Sequence, residues 1–159
     1  MLCLDYGNAT LAGLADKSLV KLQSILNAAA RLIFLSRKFD SVTPLLREIH
    51  WLRFPERINY KLALLVFKCL NGLAPSYLAS EFCCVADTES RQRLRLASTA
   101  ELIVPRVCRA TIGGRAFPVA AAHAWNSLPP SVTSSSSLTV FKSRLKTELF
   151  TRCYCADQP

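Results

Sequence analysis

Apolar residues near the start of the chain recur at steps of three and four, which is the spacing of one helix face. This pattern predicts a helix over residues 16–38, with Asp16 as its N-cap. The apolar face is formed by Leu19, Leu22, Leu26, Ala29 and Ile33. The lysines and arginines of this segment lie at its ends or outside that face. We therefore expect a core helix with a solvated basic face rather than a helix dedicated to nucleic acid.

Proline residues mark the starts of the next two helices. Thr43 is placed to cap a short second helix with Pro44 as its first residue, because proline lacks only a donor that would be unpaired there. Pro55 begins a longer helix that extends to about Leu70. This helix is apolar over much of its circumference, so we expect it at the centre of the core. A glycine and a proline then end it, and a brief helix is expected over residues 75–82.

The middle of the chain is less regular. Residues 85–100 are polar and are the best candidate for a linker, while residues 101–110 alternate apolar and polar side chains as a short strand does. Gly113 and Gly114 predict a turn. The alanine-rich segment 116–125 predicts a further helix.

The last part of the chain combines a loop with an amphipathic helix. Two prolines followed by the serine-rich residues 131–137 predict the loop, and residues 138–151 predict the helix. Its apolar side is formed by Leu138, Phe141, Leu145 and Leu149, and its basic side by Lys142, Arg144 and Lys146.

These elements predict a mostly α, irregular helical domain of four to five helices, in which a short strand or hairpin is possible in the middle. Hydrophobic residues make up 51% of the 159, which is enough to fill one core. Within this one domain we distinguish a helical core half (1–82), a basic loop or strand-containing linker (83–114) and a C-terminal helical part (115–159).

The charge balance favours anionic partners. Twenty Lys and Arg face eleven Asp and Glu, which gives a net charge of +9. Nucleic acid is the first candidate partner and an acidic membrane surface the second, while a basic surface that binds nothing remains the alternative. The candidate nucleic-acid-binding residues form three groups: Arg31, Arg37 and Lys38; Arg91, Arg93 and Arg95; and Lys142, Arg144 and Lys146.

Targeting and metal signals point to an intracellular chain without a cofactor. Asp5 stands where a secretory signal has basic residues, and the most apolar run, residues 62–70, is too short to span a membrane. The seven cysteines are irregularly spaced and include no C-x-x-C pair. We therefore expect reduced thiols rather than a zinc site, no secretion, and a cytoplasmic or nuclear location.

No catalytic residues are predicted. A polymerase holds two metal ions with carboxylates, but the closest acidic pair here is Asp87 and Glu89, in the candidate linker. Neither His50 nor His123 belongs to a motif that activates a nucleophile. The glycine pair at residues 113–114 is not followed by the Lys-Ser or Lys-Thr of a phosphate loop. The sequence therefore predicts neither an enzyme nor a small-molecule substrate.

The two tryptophans lie in distinctive motifs, LREIHWL at residues 46–52 and AWNSLPP at residues 124–130. The rings of Trp51 and Trp125 are able to stack on the bases of a nucleic acid, but large aromatic residues more typically anchor a protein core. We interpret both tryptophans as structural anchors, together with Asn126 and Pro129.

These motifs belong to an ordered set. The segments are DYGN at 5–8, LAGL at 11–14, NAAARLI at 27–33, TPLL at 43–46, HWL at 50–52, VPR at 104–106, GRAF at 114–117, WNSLP at 125–129 and FKS at 141–143. In this order they resemble the C-terminal region of the polymerase polyprotein of LINE-type (non-LTR) retrotransposons, downstream of the catalytic palm. The resemblance covers about residues 5–150. It implies a non-catalytic helical segment that assists template or target nucleic-acid binding and packs on the remainder of the reverse transcriptase.

Several positions depart from the pattern of that family. Ser41 stands where a histidine is usual, and Arg53 and Phe54 replace a Pro-Val pair. Such departures are consistent with a relaxed or decayed copy. The alternative function is therefore a truncated element copy with only a structural or docking role, and an enzyme with an unrecognised site is a third hypothesis.

Overall fold

The structure is a computed structural model that describes residues 7–84, 101–108 and 113–155. These residues are mostly α-helical, as predicted. The elements are a 3-10 helix at Asn8–Leu11, α1 (Asp16–Phe34), α2 (Thr43–Glu48), α3 (Phe54–Leu70), α4 (Ser76–Ala79), α5 (Phe117–Asn126), α6 (Pro130–Thr133) and α7 (Leu138–Cys155). Short helices of four or six residues raise the number above the four or five expected.

The possible strand in the middle of the chain is reduced to one bridge. Leu102 forms an isolated antiparallel bridge with Cys84, and the Ile103 N–H donates to the Cys83 carbonyl oxygen at 2.9 Å. Residues 101–108 otherwise have no regular element. The linker predicted over residues 85–100 lies outside the described residues.

The first long helix ends earlier than its apolar spacing predicted. α1 stops at Phe34 because Leu35 adopts a left-handed conformation, with φ of 51°. The Ser36 N–H then donates to the Arg31 carbonyl oxygen at 3.0 Å. A leucine thus occupies the left-handed position that usually holds glycine at a helix end. The predicted extension of this helix to residue 38 is wrong.

The two capping predictions are also wrong. Asp16 and Thr43 are the first residues of α1 and α2, and the residues before them, Ala15 and Val42, make no side-chain cap bond. Pro44 is accordingly the second helical residue. The position of Asp16 in the first turn still favours the helix, because a negative charge there interacts well with the helix dipole.

The apolar face of α1 is covered only in part. Leu19 and Leu22 pack against the main core, and Leu26 and Ala30 are buried in a second apolar cluster. Ile33 was predicted on the same face but is 55% exposed. This prediction is wrong because α2 and the end of α7 cover the middle of α1 and leave its last turn open.

α3 is the central helix, as its apolar circumference predicted. It contacts the 3-10 helix, α1, α4, α5 and α7, and its buried side chains include Phe54, Ile58, Leu62 and Val66. The fully buried Ala121 and Ala122 of α5 face the core. Such small side chains let two helices approach closely, and the contact between α3 and α5 is the most extensive one among the described helices.

The C-terminal part differs from the prediction at both of its ends. Pro129 leads into the one-turn helix α6, so the loop predicted over residues 129–137 is wrong for residues 130–133. α7 continues to Cys155, four residues beyond the predicted end. It does so because Cys153 and Tyr154 are buried and extend its apolar face.

The two tryptophans occupy different environments. Trp125 is 2% exposed and lies in the main core, where Phe141 stacks between it and Phe67 at centroid distances of 5.8 and 4.2 Å. Trp51 is half-buried at the edge of the second cluster, which contains Leu26, Ala30, Leu46, Cys153 and Tyr154. Trp125 therefore has the position of a core anchor, whereas Trp51 is open on one side.

Candidate nucleic-acid interface

A concave pocket of about 360 Å³ opens between the α2–α3 connection, the first half of α3 and α7. It is lined by His50, Trp51, Leu52, Arg57, Tyr60, Lys61 and Lys146. Three of these residues are cationic and two have large aromatic rings, and none of the seven is acidic. The pocket therefore joins positive charge to flat apolar surface, which is a combination found in proteins that bind single-stranded nucleic acid.

Helical spacing explains how α3 contributes to this pocket. Arg57, Tyr60 and Lys61 stand three and four residues apart, so they share one face of the helix. Lys146 comes from α7, across the pocket in a distant part of the sequence. The packing of α3 against α7 through the core thus brings these cations together.

The backbone around Trp51 is held in place from both sides. His50 has a left-handed conformation (φ 52°), which turns the chain after α2, and the Trp51 N–H donates to the Leu46 carbonyl oxygen at 2.9 Å. The Tyr154 hydroxyl donates to the Trp51 carbonyl oxygen. The indole is thus presented to the pocket by a fixed backbone.

Arg57 connects the tryptophan to the cationic side of the pocket. Its guanidinium lies 5.6 Å from the centroid of the Trp51 ring, and its Nε donates to the Leu52 carbonyl oxygen at 3.1 Å. A guanidinium over an indole is a favourable cation–π pair. His50 lies at the rim, where its imidazole stacks on Phe150 at 5.6 Å.

The three basic residues predicted on α7 have separate positions. Lys146 lines the pocket, and Lys142 lies one helical turn before it on the same face. Arg144 points elsewhere, because its guanidinium donates to the Ser131 carbonyl oxygen at 2.8 Å. Only two of the three are therefore placed to act with the pocket.

The basic residues predicted at the end of α1 form a second, separate group. Arg31 donates to the Asp40 carbonyl oxygen at 3.3 Å, and the Arg37 backbone N–H donates to the Asp40 carboxylate at 2.7 Å. Lys38 lies 5.9 Å from the centroid of the exposed Phe39 ring. None of these residues lines the pocket.

The remaining group of predicted basic residues, Arg91, Arg93 and Arg95, lies outside the described residues. Their predicted role in nucleic-acid binding stays a prediction.

Asn126 has a structural role that its motif did not specify. Its amide group donates to the Leu102 carbonyl oxygen at 2.8 Å and accepts from the Leu102 N–H at 2.9 Å. A side-chain amide thus pairs with the backbone as a neighbouring strand would. Pro129, in extended conformation, then directs the chain into α6. These contacts hold the middle segment against the end of α5.

Comparison with protein-family models, with curated proteins and with solved structures finds no match to this chain. No helix in residues 7–84, 101–108 or 113–155 has the length and apolar content needed to cross a membrane. Within the same residues, no group of three or more His, Cys, Asp or Glu could hold a metal ion.

Sequence reasoning missed three of the pocket residues. Arg57, Tyr60 and Lys61 were not among the candidate residues, and His50 was considered only as a catalytic group and set aside. A signal for them existed, because two cations and a tyrosine at steps of three and four follow directly after a tryptophan motif. Lys146 of α7 was among the candidate residues, but the local sequence gave no signal that it would join these three residues.

Burial changes the acidity of several groups near the pocket. Desolvation raises the pKa of Tyr154 to about 12, and the neighbouring Cys153 adds to this effect while Arg53 opposes it. Desolvation also raises the pKa of the Cys153 thiol, and that of the Tyr60 hydroxyl in the pocket.

The Tyr154 shift predicts a loss of stability at alkaline pH. The unfolded chain loses this proton near pH 10 and the folded chain near pH 12, so unfolding releases a proton between these values. We expect the free energy of unfolding to fall by about 2–3 kcal/mol from pH 10 to pH 12 on account of this group. Urea unfolding at a series of pH values measures it.

Phenylalanine substitutions provide the control for this measurement. Tyr154→Phe should remove this component of the alkaline decrease while costing about 1 kcal/mol at neutral pH, since the Trp51 carbonyl loses its donor. Tyr77→Phe, at a site that is 69% exposed, should behave as the parent protein. A Tyr154→Phe profile parallel to that of the parent would contradict the shift.

Proposed function

We propose that this chain is a non-catalytic C-terminal segment of a LINE-type retrotransposon RNA-directed DNA polymerase that assists in binding template or target nucleic acid. The observation that carries the proposal is the pocket in which Arg57, Lys61 and Lys146 meet the rings of Trp51 and Tyr60. The ordered motifs support the family origin, and the net charge of +9 supports the class of partner.

The electrostatics of the pocket favour phosphate groups. Its cations come from two helices, and the described residues place no carboxylate on its wall. One nearby acid of α7, Glu148, is engaged by Arg152 at 2.8 Å. A polyanion that binds lysine and arginine side chains releases its condensed counterions. The pocket and the adjacent Lys142 therefore form the centre of the proposed interface.

The proposal assigns no polymerase activity to this segment by itself. Its contribution is to hold nucleic acid, while the catalytic carboxylates belong to the palm of the longer protein. The remainder of the reverse transcriptase is accordingly a second proposed partner.

A second candidate function is a purely structural or docking role in a truncated, decayed copy of such an element. Exposed apolar side chains at the end of α1 favour it, since Leu32, Leu35 and Phe39 are 76%, 90% and 93% exposed. Clustered exposed apolar residues are typical of contact surfaces. Self-association that depends on concentration, together with an absence of nucleic-acid binding, would favour this role over the first.

The salt dependence of binding tests the proposed function. We expect the chain to bind a fluorescent single-stranded oligonucleotide with an affinity that falls as salt rises, with a log–log slope of about 0.7–0.9 for each phosphate neutralised. Replacing Lys61 and Lys146 by Gln should weaken binding about tenfold or more near physiological salt and reduce the slope by about 1–2. Fluorescence anisotropy measures both quantities.

A matched double variant controls for net charge. Lys17→Gln with Lys21→Gln also removes two positive charges, but from exposed positions of α1 that do not line the pocket. This variant should retain most of the affinity. Equal losses in the two double variants, or affinity that does not change with salt, would contradict the proposed interface.

A further inference from the structure

The size of the pocket limits what it can hold. Its volume of about 360 Å³ lies at the low end of the range of about 300–1,000 Å³ that is typical of small-molecule sites. Such a volume suits one compact ligand with a ring system rather than a long stretch of polymer. The ligand must also match the chemistry of the wall.

Planar groups form one part of that wall. The Trp51 indole and the Arg57 guanidinium lie 5.6 Å apart as a cation–π pair, and the Tyr60 ring lies one turn further along α3. Aromatic rings and guanidinium planes are the surfaces on which unpaired bases stack. The fixed backbone of Trp51 reduces the loss of entropy that ordering such a surface would otherwise require.

Cationic groups form the other part. Lys61 projects from α3 and Lys146 from α7, so an anionic group in the pocket can interact with ammonium groups from two helices. Lysine acts on phosphate as a flexible point charge. The pocket therefore offers a stacking surface and a phosphate-binding region within the volume of one ligand.

We propose that this pocket binds a single unpaired nucleotide, with its base against Trp51 and Arg57 and its phosphate near Lys61 and Lys146. The inference rests on the proposed nucleic-acid binding and adds the unit of nucleic acid that the site recognises. A base inside a duplex has both faces covered by its neighbours, so only an unpaired or terminal base can stack on a protein ring. The pocket thus distinguishes single-stranded or frayed nucleic acid from a closed duplex.

Tryptophan emission tests the proposal directly, because Trp51 lines the pocket and Trp125 is buried in the core. We expect adenosine monophosphate to quench the emission to saturation. Adenosine and inorganic phosphate should each bind at least about fivefold more weakly, since each lacks one of the two interactions. Phosphate that binds as tightly as the nucleotide would overturn the proposal, because it would show a simple anion site.

Three variants test whether the quenching of tryptophan emission arises in this pocket. Trp51→Phe keeps an aromatic ring but removes the indole, so quenching should disappear while calorimetry still detects binding of the nucleotide. Lys61→Gln with Lys146→Gln should lower nucleotide affinity about tenfold, whereas Lys17→Gln with Lys21→Gln should not. Circular dichroism confirms that each variant is folded, and quenching that persists in Trp51→Phe would overturn the assignment to this pocket.

Competition between strands distinguishes this inference from the proposed function. A single-stranded oligonucleotide should displace the nucleotide more effectively than a blunt duplex of the same length. Oligonucleotide binding that depends on salt but leaves Trp51 emission unchanged would overturn the nucleotide pocket and leave the proposed function standing. Failure to bind any oligonucleotide would overturn both.

Discussion

Replacing Phe141 by alanine should lower the free energy of unfolding by about 3–5 kcal/mol, the range for removing a large aromatic side chain from a core. Phe141 is fully buried and stacks between Phe67 and Trp125, with centroid distances of 4.2 and 5.8 Å. The substitution removes its buried area, leaves a cavity and ends both ring contacts. These three losses act at the point where α3, α5 and α7 meet.

Urea unfolding followed by circular dichroism measures this effect, and a neighbouring residue supplies the control. Val140→Ala changes the adjacent position of α7, which is 38% exposed, and should change stability by less than about 1 kcal/mol. Phe141→Leu keeps much of the apolar volume and should fall between the two variants, because it loses ring pairing of about 0.5–1.5 kcal/mol for each contact. Similar results for Phe141→Ala and Val140→Ala would contradict the stacked core.

The helices themselves were predictable because their signals are local. The apolar spacing of α1, α3 and α7 lies within the helix that it specifies, and so do the prolines in the first turns of α2 and α3. Helix ends were less predictable. α1 ends just before Leu35, whose left-handed conformation no common end signal predicts. α7 is prolonged by the burial of Cys153 and Tyr154, which depends on tertiary packing.

The cationic character of the candidate site was predictable from the sequence, whereas its position in the fold was not. A net charge of +9 indicates an anionic partner, yet it does not indicate which cations converge. Lys146 meets Lys61 only because α7 packs on α3, whereas Arg144 on the same helix is directed to the Ser131 carbonyl. Composition cannot separate two such residues, since their difference arises from the position of each side chain around α7.

Replacing Asn126 by alanine should lower the free energy of unfolding by about 2–4 kcal/mol, because it leaves two backbone groups of a buried residue without a partner. Leu102 is 2% exposed, and both its N–H and its carbonyl oxygen bond to the Asn126 amide. These groups are 24 positions apart in sequence, so the loss should also release residues 101–108 from α5. Urea unfolding measures the stability, and hydrogen exchange of the Leu102 amide measures the local release.

Two further substitutions separate the pairing from a general effect of mutation in this motif. Asn126→Asp can still accept from the Leu102 N–H but, when ionised, cannot donate to its carbonyl oxygen. It should therefore protect the Leu102 amide better than Asn126→Ala does, while remaining less stable than the parent protein. Ser127→Ala removes one local bond to the Ala124 carbonyl from an exposed side chain, and should cost less than about 1 kcal/mol. If the Leu102 amide exchanges equally slowly in the parent and in Asn126→Ala, the side-chain pairing does not hold the middle segment, and the Trp-Asn motif acts through Trp125 alone.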